Sequence, residues 1–463
     1  MKSHSLRFTG ALLLTAALLA ACGGGRSDSG GQSSSTTKAG SDSSSSAVQF
    51  GDLASPCGPG SPSGSPDQAV DASTVTIGYG DDAGYQAQPG LGHEATDAVK
   101  AMISWCNEQG GINGRTVVGK YYDGKITELA NVMTEACTQT FMLVGEFFAL
   151  PATGEQTRLG CGLPAVPGVL SGAGISMAPL MVAPYPTPSD QWNVGAAALL
   201  AKAYPEKVKK AAMMVAQFPV VIEGTQQFAR TAPTVGWNFI GCDQPYPITG
   251  VADYRPILQK FKDCGVEAVL STDTGTGLEN ILDAAAQIDF HPIWLNSPAT
   301  ATDSFNAWNV NGNGDNLYLY NPFVPLDYNA PGSANAAYID LVKAAGGDIG
   351  FGGQVSTSAF LLWATAAKEC GNDLTRACVM QQLKGIHSWN GGGISAEQDP
   401  GGNQAGFCTQ VLKMDGTKFV QWQPEEVGTF ACDPSWRVEV NPPIDSAATL
   451  KIGADRVAHD VIP

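Results

Sequence analysis

The chain has 463 residues, 43% of them hydrophobic and 15% charged, with a formal net charge of −17. That length allows two domains with sizeable cores, and the ordinary hydrophobic content excludes a membrane-embedded chain. The acidic balance excludes a nucleic-acid binder, which needs the opposite sign, and otherwise reports solubility.

Lys2 and Arg7 precede an apolar run over residues 10–20, which ends in Leu19-Ala20-Ala21-Cys22-Gly23. The run is too short to span a bilayer and reads as a signal-peptide core, with the signal over residues 1–21. Leu-Ala-Ala-Cys is similar to a bacterial lipobox, in which Cys22 receives lipid and becomes the mature N-terminus. Loss of Lys2 and Arg7 takes the net charge to −19. Ser, Gly and Pro dominate the next stretch, so residues 22–69 are expected to form a flexible tether that attaches the body to the membrane without spanning it.

Thr74-Val75-Thr76-Ile77-Gly78 alternates as a strand and opens into a glycine-rich loop. Ala98, Met102, Ile103 and Cys106 then recur at helical spacing, Gly110-Gly111 offers the permissive backbone of a helix C-terminus, and Asn113-Gly114 is a turn pair. Thr116-Val117-Val118 and Tyr121-Tyr122 carry the chain out as a strand that stops at Asp123. Units of this kind pair their strands in parallel with a right-handed crossover. The run Asn107-Glu108-Gln109-Gly110-Gly111-Ile112-Asn113-Gly114-Arg115, a short strand and a terminal Asp resembles the first unit of type I periplasmic binding proteins, in their branched-chain amino-acid branch. The order of later elements agrees over residues 70–440.

The pattern then repeats. A helix is expected over 127–139, with Leu129, Val132, Met133 and Ala136 on one face, then an apolar strand over 141–145, a short helix over 154–159 and a strand over 163–166. Tyr185-Pro186-Thr187-Pro188 breaks the pattern and marks the first passage to a second lobe. Helices over 191–204, 223–232, 254–264 and 278–288 alternate with strands over 211–215, 237–242, 268–270 and 292–295. Near 320–323 the chain is expected to return to the first lobe, with helices near 333–345 and 354–370. Near 399–404 it crosses a third time, into a terminal hairpin over 407–422. The expected fold is α/β, a two-lobed periplasmic-binding-protein-like type I fold in which helices flank a mainly parallel sheet in each lobe. Lobe 1 covers 70–186 and 323–403, lobe 2 covers 187–322 and 404–440, and a C-terminal extension occupies 441–463.

Eleven cysteines less Cys22 leave ten, an even number in an exported chain, which reads as disulfides. Sequence does not fix the connectivity. Local spacing and the inferred topology favour Cys370 with Cys378, Cys408 with Cys432, Cys242 with Cys264, and Cys106 with Cys137 on the first two helices. That leaves Cys57 with Cys161, and no bridge crosses between lobes.

Catalytic and cofactor signals are near misses. Gly114-x-x-x-x-Gly119-Lys120 has P-loop spacing, but Tyr121 stands next where a Ser or Thr would bind magnesium. Gly78-x-Gly80-x-x-Ala83 has a dinucleotide-loop spacing, but Asp81-Asp82 would repel a pyrophosphate. His93, His291, His387 and His459 are scattered and support neither a metal site nor a catalytic triad. No enzyme activity, cofactor or metal is expected.

A cleft remains, lined by the loops after strand ends, over 80–88, 146–150, 169–171, 217–220, 272–276 and 297–300. Phe147, Phe148 and Phe218 are its candidate apolar walls, and Ser171, Thr272, Asp273 and Ser297 its candidate polar groups. In the family that the chain resembles, amino-acid binders hold the ligand carboxylate with Ser/Thr-rich turns and its ammonium with a second-lobe carboxylate. Here the first turn reads Glu-Phe-Phe-Ala-Leu-Pro and the second keeps Ser171, while the acidic position falls at Ser297 or Pro298, with Asp273 or Glu223 as substitutes. The resemblance implies a monomeric, lipid-anchored solute-binding protein of an ABC importer that presents an amino acid, or a related and less polar or larger compound, to a membrane permease. The alternative is a ligand-sensing receptor component built on the same fold.

Overall fold

The computed structural model describes residues 48–444, apart from 87, 173 and 174. The expected signal peptide, Cys22, the expected tether up to residue 47 and the expected extension beyond 444 lie outside the described residues. Residues 48–69 depart from the expected tether, because they pack on the body. Strands β1 (Gln49–Phe50) and β2 (Leu53–Ala54) form a small hairpin. Phe50 is fully buried with its ring against the edge of Trp105, and the backbone N–H of Gly58 donates to the Gly111 carbonyl at 2.7 Å.

The first sheet has the order β4-β3-β5-β6, all parallel. Its elements run β3 (Thr74–Asp81), α1 (His93–Glu108), β4 (Thr116–Asp123), α2 (Leu129–Gln139), β5 (Met142–Val144), α3 (Ala152–Gly160) and β6 (Ala165–Val166). Val75, Ile77 and Tyr79 of β3 alternate into the core on the α1 face. Arg115 explains the Asn-Gly-Arg run: its buried guanidinium donates to carbonyls of Asp71, Ser63, Gly371 and Asn372, tying the turn after α1 to segments far away in sequence.

Strand order also decides the cysteines. The chain steps from β3 outward to β4 and then back past β3 to β5, so α1 and α2 lie on opposite faces of the sheet. A bridge between them is geometrically excluded. The expected pairs Cys106–Cys137 and Cys57–Cys161 are therefore corrected to Cys57–Cys106 and Cys137–Cys161, the second joining α2 to its neighbour α3. Cys242–Cys264, Cys370–Cys378 and Cys408–Cys432 pair as expected.

The second half begins with β7 (Gln191–Asn193), α4 (Gly195–Ala203), β8 (Ala211–Gln217), α5 (Pro219–Thr231), β9 (Gln244–Pro247) and α6 (Arg255–Asp263). It continues through β10 (Ala268–Ser271), α7 (Gly275–Gln287), β11 (Ile293–Asn296), α8 (Asp303–Trp308) and β12 (Leu317–Asn321). Two local expectations are only partly met. The start of the expected helix over 191–204 is a strand, and the strand expected over 237–242 pairs with β8 only at Phe239, then turns at Gly241 (φ 76°) before resuming as β9.

After β12 the chain returns to the first half with α9 (Ala334–Ala344), α10 (Phe351–Glu369) and α11 (Arg376–Lys384). Helix α10 is buried along nearly its whole length, packed against α1; its buried Gln354 and Ser356 donate to the carbonyls of Val324 and Gly145. No helix among the described residues is long and apolar enough to cross a membrane. The hairpin β13 (Cys408–Asp415) and β14 (Lys418–Gln423) then closes the second sheet, whose order is β14-β13-β12-β11-β10-β8-β9. Its strands are parallel from β9 to β12 and antiparallel at the hairpin. Short strands β15 (Ala431–Cys432) and β16 (Arg437–Glu439) pair with β13 and β7. The chain thus passes between the sheets three times, between β6 and β8, between β12 and α9, and between α11 and β13.

Candidate ligand-binding cleft

The C-terminal ends of β3, β5 and β6 and of β8, β10 and β11 face a common cavity of about 1160 Å³. Parallel strands align their C-terminal loops, so each sheet offers one wall. All six expected loops contribute, with Tyr85, Phe147 and Ser171 on the first wall and Phe218, Thr272 and Ser297 on the second.

The first wall is fixed from beneath by adjacent aspartates. Asp82 is buried, and its two carboxylate oxygens accept the backbone N–H groups of Ile126 and Ala149, each at 2.6 Å. Ile126 and Ala149 line the cavity, so one side chain sets the position of two cleft loops. Burial pushes the Asp82 carboxyl above its ordinary range, against the pull of those two N–H bonds. Asp81 accepts the hydroxyls of Tyr121 and Thr96 at 2.6 and 2.7 Å. The Asp81-Asp82 pair that counted against a dinucleotide loop is thus an internal brace.

Of the expected site residues, Ser171, Phe218, Thr272, Asp273 and Ser297 lie on the cavity wall. Phe148 does not. It is 3% exposed and packs with Tyr122, Leu143 and Leu163, its ring filling the space over Gly80 and Gly124. A Cβ at Gly80 would meet the Tyr122 carbonyl oxygen at 2.2 Å and the Phe148 ring at 2.7 Å, so only glycine fits between the neighbouring strand and the buried phenylalanine. Phe147 takes the wall position, over Gly92 and Gly352.

The second wall carries the polar groups. Asp273 comes just after β10 and accepts a hydrogen bond from the Tyr246 hydroxyl; its carbonyl accepts from Asn296 Nδ2 at 2.9 Å. Burial pushes its carboxyl up and the Tyr246 bond partly offsets this. Ser297 caps the short turn at 298–300, accepting from the Ala299 N–H at 3.3 Å, and Thr272 Oγ1 is buried without a partner. Glu223, weighed as a substitute acid, sits instead on α5 beside Gly172 of the opposite half.

Sequence reasoning missed the walls that do not come from strand ends. Trp192 of β7 and Tyr320 of β12 meet edge to face at 6.0 Å where the chain passes between sheets, and both line the cavity with Tyr254 and Phe351. The alternating run Leu317-Tyr318-Leu319-Tyr320 was a strand signal that could have placed Tyr320.

Two α/β halves joined by three passages, with a solute-sized chamber between their strand ends, define an architecture whose sequence signature extends over most of the chain: the profile of periplasmic binding proteins matches residues 74–418. The chain belongs to the periplasmic binding protein family. No curated protein matches the sequence. In fold, this periplasmic binding protein is similar to a branched-chain amino acid ABC transporter from Thermus thermophilus with bound valine, at 16% identity, 80% of this chain, 98% of that chain and a TM-score of 0.64. It is also similar to a fatty acid ABC transporter substrate-binding protein from Thermomonospora curvata, at 15% identity, 79% and 98% coverage and a TM-score of 0.63. A third similar structure is an R. palustris ABC transporter solute binding protein in complex with 4-hydroxybenzoate, at 17% identity, 78% and 98% coverage and a TM-score of 0.62. Family membership gives the chain an extracytoplasmic, solute-binding role.

Proposed function

We propose that this periplasmic binding protein is the solute-binding component of an ABC importer, held to the extracytoplasmic face of the cell membrane through lipid on Cys22. The observation that carries the reading is a cavity walled by both sheets, whose halves are joined by three connecting passages and by no disulfide among the described residues. The halves act as lobes: a solute that touches Ser171 on one wall and Phe218, Thr272, Asp273 and Ser297 on the other favours the closed arrangement, by as much as its affinities for the two arrangements differ. Binding is reversible and non-covalent, and the closed form is what the permease receives. Deleting the gene tests import over sensing. Uptake of the solute that the protein binds should fall by at least about tenfold, a difference of ~1.4 kcal/mol in capture at low solute concentration; unchanged uptake with a lost transcriptional response would mean sensing.

A further inference from the structure

The charges on the cleft walls point to a class of solute. Asp273 and Glu279 are the charged side chains that line the cavity, and no Lys, Arg or His stands among the described lining residues. Both carboxylates lie on the second wall, Asp273 just before α7 and Glu279 within it. Neither takes part in an ion pair among the described residues; Asp273 meets the Tyr246 hydroxyl, and the charge that acts on Glu279 is the like charge of Asp283. Burial pushes both carboxyls above their ordinary range, the direction expected of acids that lack a cation beside them.

One place on the second wall where a carboxylate ligand would settle is already taken. The N-terminus of α7 opens on the cavity at Gly275 and Thr276, but the Asp273 carboxylate lies across its first turn, with Oδ1 3.2 Å from where a Cβ on Gly277 would stand. That carboxylate answers the helix dipole and repels a second anion. At the start of α5, Pro219 removes one of the first-turn N–H groups. The cavity that the two acids line is also rich in aromatic side chains, among them Phe147, Trp192, Phe218, Tyr254, Trp308 and Tyr320. Aromatic faces beside carboxylates hold positive charge. The cavity, at about 1160 Å³ in the arrangement described, exceeds the roughly 300–1,000 Å³ of pockets for drug-sized ligands.

Resting on the solute-binding reading above, we propose that the cleft takes an organic cation, an amine or quaternary ammonium on a large aromatic or alkyl body without a carboxylate. The positive centre sits between Asp273 and Glu279, and the body lies along the aromatic walls towards Phe147.

The test is calorimetric titration of the intact mature protein, freed of bound ligand, with compounds that share a body and differ in charge. Tryptamine, tryptophan and indolepropionate form one set, diphenylpropylamine and diphenylpropionate a larger pair. Each amine should bind at least about tenfold more tightly than its acid or amino acid, and Asp273→Asn should weaken the amines by about tenfold while leaving the acids unchanged or tighter. Glu279→Gln, on a helix surface, serves as a second variant should the first disturb the wall, with the same sign and a smaller loss. Preference for the acid or the amino acid overturns the cation assignment and leaves solute binding standing. If none of the five compounds binds, the assignment also falls, and whether denaturation of the native protein releases any small molecule then decides solute binding separately.

Discussion

Glu146 opens the loop after β5, and its side chain is buried with Oε2 unpartnered. Burial outweighs the downward pull of its own backbone N–H and of the Arg158 guanidinium, which is itself committed to Glu155 and to the carbonyls of Leu163, Pro179 and Leu180. Burial therefore pushes Glu146 from an ordinary 4.5 up to about 7. A carboxyl raised on folding holds its proton longer in the folded state. Its contribution is complete below 4.5 and is lost as pH rises to 7, by about 3 kcal/mol at 1.36 kcal/mol per pH unit. Glu146→Gln should remove that slope, so denaturant unfolding at pH 8 should find the variant more stable than the parent while at pH 4 the two agree. Parallel pH profiles would show that the carboxyl stays ionised. Phe147 and Phe148 show where residue-scale reading stops: neighbours in one loop carry no period to say which is core. Gly80 and Gly124, on two other loops, leave the space that Phe148 fills, and only their approach in three dimensions assigns Phe147 to the cleft.

Among the elements, the helices and strands of the first unit were legible because period and turn chemistry agreed from Thr74 to Asp123. Strand order was not legible, and the cysteine pairs turned on it: local spacing found the three bridges within one face or one hairpin, and failed for α1 and α2, which lie on opposite faces. The N-terminal segment was misread for a different reason. Its composition suits a tether, yet Phe50 and Cys57 are enough to pin it to α1. Replacing Cys57 and Cys106 together by Ser frees a loop closed over 49 residues, and about 2–4 kcal/mol of stability should go with it. Because this strap lies on the first half, away from the cavity lining, solute affinity should stay within about twofold, ~0.4 kcal/mol. A melting temperature that is unchanged by the double variant would mean that the hairpin holds the segment without the bridge.

At the scale of the molecule, the third passage into the hairpin was what the family resemblance implied, while the two-sheet architecture and the six cleft loops could be inferred from alternation of strands with helices. The identity of the solute could not, since it depends on which side chains from distant segments share one chamber. The five bridges stay within one half or the other, two on the second sheet's side and three on the first, so oxidation stiffens each body and leaves the connecting passages free to bend. The measurement that bears most directly on capture between two lobes is small-angle X-ray scattering of the intact protein, stripped of ligand and then given back the small molecule that it releases on denaturation. Closure predicts a reproducible fall in the radius of gyration that saturates at one solute per chain; saturable binding with an unchanged radius would contradict it.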